Sequence, residues 1–579
     1  MNKIRLQPAI ENPGRWPRLL ATTYAVTGAT LLSLSLACSL ITPQVLLETF
    51  LPLLTRLFSP DAKIEPKTVV LLANAAGALL PIATGIGLFC LVFGTSGRLI
   101  LRRSNPDSQQ VSPLPPASRE LFWGLLICII GIIIRWPLML RGLSYDELFS
   151  VTHHLKPIQD FFSHFPVTTN NHLLYNLLGY YSRDFFGPAE WTFRLPAFIF
   201  GIGTITAVWL ASRPLLSPRT TLWAALLLSI SPAHVIWSTT GRAYSGYVLC
   251  STLFILFYFQ TLERPAAGKR DLLAVTAILG GLFHLFFLFF PIAAMIHLSI
   301  LSLLNRRTPE RLPPGAAAAW TACGIGLALA GITLSFLNLR PLIEMSGQTP
   351  PPASGSFLLQ LWSSLLALPH WAAALPIFLL IIVGGLRFRT HPQRPDILFI
   401  LLILMPVAIW LTRPYFLYER FWAGLLPFIL LGISAGTERV LGLRHGRILS
   451  AATLMAISAA MLSTWSNGTS ALINEYSQPF REATRLAEKR SGDSPFLCSI
   501  EPTAHLFRYY SSRPVIKIEK TADAGLLLDR APNAACLAIP HFISPTATES
   551  YELLHDFRTR CREERLGIIS VFSGCQKRK

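Results

Sequence analysis

Arg141 to Tyr175 reads RGLSYDELFSVTHHLKPIQDFFSHFPVTTNNHLLY. The stretch begins where an apolar run closes, at Trp136-Pro137-Leu138-Met139-Leu140. Two adjacent carboxylates, Asp146 and Glu147, therefore stand at the edge of a hydrophobic segment, and Asn170-Asn171-His172 and Tyr175 follow in the same stretch. Such groups at a bilayer boundary need partners or a function. This stretch reads as a reactive loop at a membrane surface, and most of the remaining chain as the scaffold that holds it.

Composition agrees with that setting. Of 579 residues, 52% are hydrophobic and 14% charged, against roughly 25% charged in soluble domains. Apolar runs near or above the ~20 residues that cross a bilayer lie at 17–41, 67–97, 119–140, 192–212, 219–237, 243–262, 271–288, 290–305, 316–337, 371–386, 396–412, 421–437 and 447–465. This predicts an α-helical polytopic membrane protein with about thirteen transmembrane helices. Within 271–305, Pro291 predicts a tight hairpin rather than one long tilted helix.

Lys and Arg collect in short cytoplasmic loops. With the N-terminus inside, beside Lys3, Arg5 and Arg15, alternate loops hold Arg98, Arg102, Arg103 and Arg119; Arg213 and Arg219; Arg264, Lys269 and Arg270; Arg306, Arg307 and Arg311; Arg387, Arg389 and Arg394; and Arg439, Arg444 and Arg447. The long intervening segment 338–370 holds only Arg340. This alternation puts Asp146 and Glu147 outside, with the C-terminal segment. The net charge of +19 then reads as a topology signal plus affinity for anionic headgroups. Nucleic-acid binding is disfavoured, because the basic residues are dispersed rather than gathered with stacking aromatics. The basic residues before the first apolar run resemble a signal peptide, but the run is long for one and is read as a helix. Cys38, after Ala37, reads as a buried helix cysteine.

Three regions follow. Residues 1–118 carry two helices and a Pro/Ser/Gln-rich inner linker without a reactive constellation. Residues 119–466 form the membrane core, with the outer loop 142–191, whose Phe161-Phe162, Phe165, Leu173-Leu174 and Leu177-Leu178 suit amphipathic helices in the interface. They line a lipid groove or merely cover the bundle. The Pro/Gly/Ser-rich segment 338–370 is a lid or an inert connector. Residues 467–579 read as a small outer α/β domain. SQPFREATRLAEKRSGD is an amphipathic helix closed by Gly492, and SPTATESYELLHDFRTRC is another helix. PFLCSI, PVIKIE, ACLAIP and LGIISVFSGC are its strands. Cys498, Cys536, Cys561 and Cys575 allow two disulfides in an oxidising compartment. Cys561–Cys575 with Cys498–Cys536 is favoured, free buried thiols being the alternative.

The outer face collects a chemistry. Short outer turns bring Arg242 and Tyr244, and Tyr415, Tyr418 and Arg420, to the side of the carboxylates. Carboxylates suit base catalysis on a hydroxyl. Guanidinium forks suit phosphate oxygens, and interfacial Phe and Leu suit a long lipid. Together they point to a group transferred from a lipid phosphate to a hydroxyl.

The order of segments resembles the GT-C class of membrane glycosyltransferases, in particular the protein O-mannosyltransferases and the lipid A aminoarabinose transferase. The matching pieces are YDE at Tyr145–Glu147, NNHLLYNLLG at Asn170–Gly179, EWTFRLPAFIFG at Glu190–Gly201, SPAHVIWSTTGRAYSGY at Ser231–Tyr247 and YERFWAGLLPF at Tyr418–Phe428. This chain departs from the family in having two helices before the acidic loop, and Asn-His-Leu-Leu-Tyr where His-Pro-Pro-Leu-Tyr is frequent. The resemblance implies inverting transfer of a hexosyl or pentosyl group from a polyprenyl-phosphate donor to a hydroxyl of a protein, glycolipid or glycan. It implies Asp146 as the base that deprotonates the acceptor. Arg242 and Arg420 would hold the phosphate, with Glu147, His172, Asn171, Tyr175, Tyr244 and Tyr418 orienting donor or base. With the topology, it suggests a bacterial inner membrane with the site in the periplasm, an archaeal envelope being the alternative.

Each role has a plainer counterpart. Glu147 can brace the loop through a basic partner, either acid can pair with Arg141 or Arg242, and Trp191 and Arg194 can be interfacial anchors. His234 and His284 read as satisfied core histidines. No cofactor is implied; a divalent metal is possible but not indicated, since no tight His/Asp cluster surrounds the acids. Two other classes stay open, a transporter or flippase and a non-catalytic partner in envelope glycan assembly. The first would call for charges in mid-helix and inverted repeats, which are not evident.

Overall fold

The computed structural model describes residues 118–157, 172–213, 216–304, 312–336, 381, 393–412, 419–441, 451–459, 461, 479–500, 504–531, 533–540, 548–566 and 568–575. The runs at 17–41 and 67–97, nearly all of 371–386, and the segments 158–171, 338–370 and 413–418 lie outside them, so the count of thirteen helices does too.

Among the described residues, five helical segments are long and apolar enough to cross a membrane. Helix α1, Ser118–Met139, is one. It turns Phe122, Ile129, Ile133 and Trp136 outward. Their helical spacing gives one apolar face, which in a bilayer meets lipid tails. Helix α2, Tyr145–His153, and helix α3, Leu173–Phe186, belong to the acidic stretch. Helix α4, Glu190–Ala211, follows and packs closely on α3. Phe193 lies so near Gly179 that a Cβ there would sit 2.7 Å from the ring.

The run at 219–237 is two helices rather than one: α5, Pro218–Ile230, and α6, Pro232–Trp237. Pro232 has no amide hydrogen and drives the preceding residue out of helical geometry. Ser231 accordingly takes ψ 119°. Helix α7, Tyr244–Glu263, is buried along most of its length.

The 271–305 region also breaks, though not at Pro291. Helix α8, Ala267–Phe283, ends at His284, whose backbone is extended at φ −155° and ψ 133°. A 3₁₀ turn, Leu285–Leu288, leads into α9, Phe289–Leu304. Pro291 stands in the first turn of α9, where the missing N–H has no helical acceptor anyway. Helices α10, Ala316–Phe336, and α11, Pro395–Thr412, come next. A 3₁₀ stretch, Glu419–Leu425, then enters α12, Leu426–Leu441.

The C-terminal unit is α/β. Helix α13, Phe480–Arg490, is followed by Gly492 in the left-handed region at φ 51°. Strands β1, Leu497–Ile500, β2, Val515–Ile518, β3, Cys536–Ala538, β4, Arg562–Leu566, and β5, Ile569–Ser573, form one sheet in the order β2-β1-β3-β5-β4. The first three run parallel, while β5 is antiparallel to β3 and to β4. Helices α14, Ala504–Arg508, α15, Thr521–Arg530, and α16, Thr548–Arg560, connect them. Strand β4 reads REERL, which no apolar alternation marks; it is an edge strand, where charged side chains are tolerated and block further pairing.

The cysteines pair as favoured, Cys498 with Cys536 and Cys561 with Cys575. The first bridge joins neighbouring residues of β1 and β3. The separations are 38 and 14 residues. In the chain-entropy model, closing loops of that size stabilises by about 3–4 kcal/mol each. Under denaturing alkylation without reductant, mass spectrometry should find these four cysteines unmodified. Alkylation of any of them before reduction would remove its bridge.

Candidate functional site

The site is built on a buried ion pair. Glu147 lies in the first turn of α2 and Arg194 inside α4, both without exposed side-chain surface. Arg194 Nε donates to Glu147 Oε1 and Nη2 to Oε2, each at 2.7 Å. Glu147 also accepts from the Ser144 amide at 2.8 Å, the Ser144 hydroxyl at 3.0 Å and the Gly241 amide at 2.5 Å. Arg194 spends its other hydrogens on the carbonyls of Met139 at 3.0 Å, Arg141 at 2.6 Å and Gly142 at 2.8 Å. One arginine thus fastens the turn between α1 and α2, and one carboxylate fastens α2 to the Gly241 turn. Gly241 is required there, because a side chain would collide with Phe193.

Burial by itself would raise the Glu147 carboxyl. The charge and hydrogen bonds of Arg194, then Arg141 and the Ser144 amide, outweigh it and bring the group down to about 2. Glu147 is ionised at neutral pH, and as placed it faces protein on every side. The bracing role therefore fits it, with Arg194 as the partner rather than Arg141 or Arg242.

Asp146, one residue earlier, is turned the other way and is 26% exposed. Its Oδ2 lies 3.7 Å from Arg242 Nη2, an electrostatic contact beyond hydrogen-bond length. Arg242 also reaches the Ser150 hydroxyl at 3.5 Å and sets its guanidinium 5.9 Å from the Tyr244 ring centroid. Burial opposes the charge of Arg242; Asp146 and Tyr244 more than offset that, while Arg420 works against it. Arg242 therefore stays a cation, within electrostatic range of a second one.

Arg420 is carried by the 3₁₀ stretch Glu419–Leu425. That stretch is pinned to α7, where the Tyr247 hydroxyl donates to the Phe421 carbonyl at 3.1 Å. Gly424 permits the approach, since a Cβ would sit 2.8 Å from Tyr247 Oη. His172 precedes α3 as its N-cap. Its ring meets Tyr244 edge-on at 5.5 Å and lies nearly parallel to His284 at 5.7 Å. His172 Nε2 is buried without a hydrogen-bond partner among the described residues. Burial, then the charges of Arg242, His284 and Arg420, push this imidazole well below the usual histidine value, so it is neutral.

The structure thus brings Asp146, Arg242, Arg420, His172 and Tyr244 to one place. It does not bring Tyr175 there as a donor, because its buried hydroxyl donates to the Phe193 carbonyl at 2.7 Å. Asn171 and Tyr418 lie outside the described residues. Two residues of the site were read differently from the sequence. Arg194 is a buried brace rather than an interfacial anchor; its signal was an arginine inside an apolar helix, which needs a counter-charge. His284 is buried, as expected, but it stands beside His172, a placement no spacing rule reports. His234 does sit in the core, with Nδ1 2.9 Å from Arg135 Nη2. Among the described residues, no three His, Cys, Asp or Glu side chains are grouped as metal ligands would be.

The C-terminal unit abuts this loop. The Leu143 amide donates to Tyr510 Oη at 2.6 Å. Arg481 pairs with Glu190 at 3.0 Å and donates to the Leu140 carbonyl at 3.1 Å. Arg183 donates to Tyr509 Oη at 3.0 Å, and His505 meets His153 edge-on at 5.7 Å. The segment leading into α2 is therefore held from two sides.

Residues 176–326 match the family model of the dolichyl-phosphate-mannose-protein mannosyltransferases. That match spans the EWTFRLPAFIFG and SPAHVIWSTTGRAYSGY pieces of the expected resemblance. No curated protein matches by sequence. Among solved structures, the chain is similar to ArnT from Cupriavidus metallidurans in the apo state, at 12% identity and TM-score 0.49, over 79% of this chain and 98% of that one. The same protein bound to undecaprenyl phosphate is similar at 11% identity and TM-score 0.44, over 78% and 97%. The oligosaccharyltransferase of Archaeoglobus fulgidus in the apo form is similar at 12% identity and TM-score 0.45, over 77% and 73%.

Removing one partner of a buried ion pair costs about 3–5 kcal/mol. Glu147→Ala should therefore lower the thermal unfolding temperature of the detergent-solubilised chain clearly more than Asp146→Asn does. The pair also has a pH signature. The Glu147 value is below that of an unfolded carboxyl, so its stabilisation is fully present above about pH 4 and is lost as pH falls towards 2. Between those limits the wild type should lose unfolding temperature faster than Glu147→Gln. Parallel acid curves would contradict the assignment.

Proposed function

We propose that the chain is a membrane glycosyltransferase that moves a sugar from a polyprenyl-phosphate donor to a hydroxyl acceptor on the outer face of the membrane, with inversion. The observation that carries this reading is the partly exposed carboxylate of Asp146 facing Arg242 at 3.7 Å, with Arg420 and the neutral His172 near that arginine. A base and a pair of cations lie together at the end of apolar helices. The match to a mannosyltransferase family model over residues 176–326 supports the same reading.

In this mechanism an Asp146 carboxylate oxygen takes the proton of the acceptor hydroxyl. The freed oxygen attacks the anomeric carbon from the face opposite the phosphate. The bond between that carbon and the phosphate oxygen breaks, and its electron pair stays on the phosphate. Arg242 and Arg420 meet the charge that builds there, where a low dielectric makes fixed cations most effective. The lipid phosphate is a good leaving group, so no strong general acid is required. Glu147 acts as a positioning residue, holding α2 so that Asp146 faces the acceptor. Tyr244 lies beside the Arg242 guanidinium and helps set its place.

The outer-face assignment rests on the Lys/Arg alternation and on the two disulfides of the C-terminal unit, which suit an oxidising compartment. A multi-pass protein of a bacterial inner membrane, with N-terminus cytoplasmic and C-terminal unit periplasmic, fits both.

The test uses purified protein in detergent with a panel of polyprenyl-phosphate sugars and hydroxyl acceptors, following release of lipid phosphate. Asp146→Asn should reduce turnover by a factor of about 100 or more with its unfolding temperature held. Turnover that survives in a folded Asp146→Asn would remove Asp146 as the base. A folded wild type that neither binds nor turns over any donor would count against the transferase.

A further inference from the structure

We propose that His284 is a fixed hydrogen-bond donor of the phosphate pocket, presenting its Nε2–H to an oxygen of a lipid-linked phosphate held by Arg242 and Arg420. The inference deepens the proposed function and rests on it.

The tautomer follows from the backbone. The Phe286 amide donates to His284 Nδ1 at 3.3 Å, so Nδ1 carries a lone pair. In the neutral ring the hydrogen then sits on Nε2. The bond exists because His284 breaks the helix: its extended backbone caps the 3₁₀ turn Leu285–Leu288. A residue that ends α8 is thereby locked in orientation and tautomer together.

The surroundings make that hydrogen unusual. Tyr247 lies near-parallel to the ring at 5.2 Å, and Tyr244 and Phe421 stand around it at 5.8 and 5.4 Å. These rings wall the imidazole on several sides, and no acceptor for its Nε2–H is found among the described residues. The neighbouring His172 holds a buried Nε2 without a partner among the described residues. Native interiors rarely leave such groups unpaired. Both rings feel the charges of Arg242 and Arg420. A pocket with two cations and a fixed N–H donor calls for a ligand that is anionic and rich in acceptors. A phosphate ester has both properties, and the aromatic surround suits the lipid that follows it.

His284→Phe keeps an aromatic ring and removes the donor; His284→Gln keeps an N–H donor. Each full-length variant in detergent is titrated with undecaprenyl phosphate and, separately, with undecaprenol, reading thermal stabilisation. We expect His284→Phe to bind the phosphate lipid at least tenfold more weakly than wild type, with its response to the alcohol unchanged. His284→Gln should recover most of that loss. Wild-type-like binding of the phosphate lipid by a folded His284→Phe would overturn the assignment. A wild type that binds both lipids equally would instead overturn the phosphate pocket itself. His284→Leu is titrated in parallel, so that misfolding of one variant still leaves a donorless side chain at this position to read.

Discussion

A charged pair taken fully out of water is stable only when every lone pair and hydrogen is used. Glu147 and Arg194 meet that condition, with five donors on the carboxylate and three backbone carbonyls on the guanidinium. The arrangement joins four parts of the chain: the end of α1, the start of α2, the interior of α4 and the turn at Gly241. Loss of either partner would leave a buried charge without its complement, so the geometry is all or none. That is the property a loop carrying the proposed base needs. The pair has no opening to substrate, but it fixes the direction in which its neighbour points.

Adjacent residues in a helical first turn point about 100° apart. This alone separates the two acids into different roles. Once Glu147 is committed inward, Asp146 must face outward, towards Arg242 and the accessible side. The cations then accumulate around it at a cost. Arg242 and Arg420 oppose each other, and both disfavour protons on His172. A cluster whose members repel is poorly explained by stability. An anion held by both arginines, as proposed, would account for it, and the neutral His172 nearby adds no charge of its own.

The C-terminal unit extends the same logic from the other side. Tyr510, Arg481 and His505 touch the segment from Leu140 to His153, so the loop is braced by bundle and α/β unit together. Its own core is modest, and two disulfides reinforce it. Through these contacts, changes in the C-terminal unit reach the segment that carries Asp146.

Much of this was legible from residue order. Apolar runs gave most helices of the core, because a lipid environment tolerates little else. Alternating apolar strands and the Gly492 stop gave most of the C-terminal unit, and the cysteine pairs were found as favoured. Strand β4 escaped because an edge strand with charged side chains has no apolar signature. The break at His284 escaped because Pro291 was the louder signal, yet a proline is harmless in a first turn. In the site, the residue types were evident while their division of labour was not. Which of two adjacent carboxylates is buried depends on Arg194 from another helix and on a Gly241 amide nearly a hundred residues away. Tyr175 stood in a suggestive motif but spends its hydroxyl on Phe193, and His284 joined the site only through packing. Local sequence determined which segments are helices apolar enough to cross a membrane, because solvation acts residue by residue. Tertiary structure decided who faces whom, because pairing energies exist only between groups that folding has brought within a few ångströms.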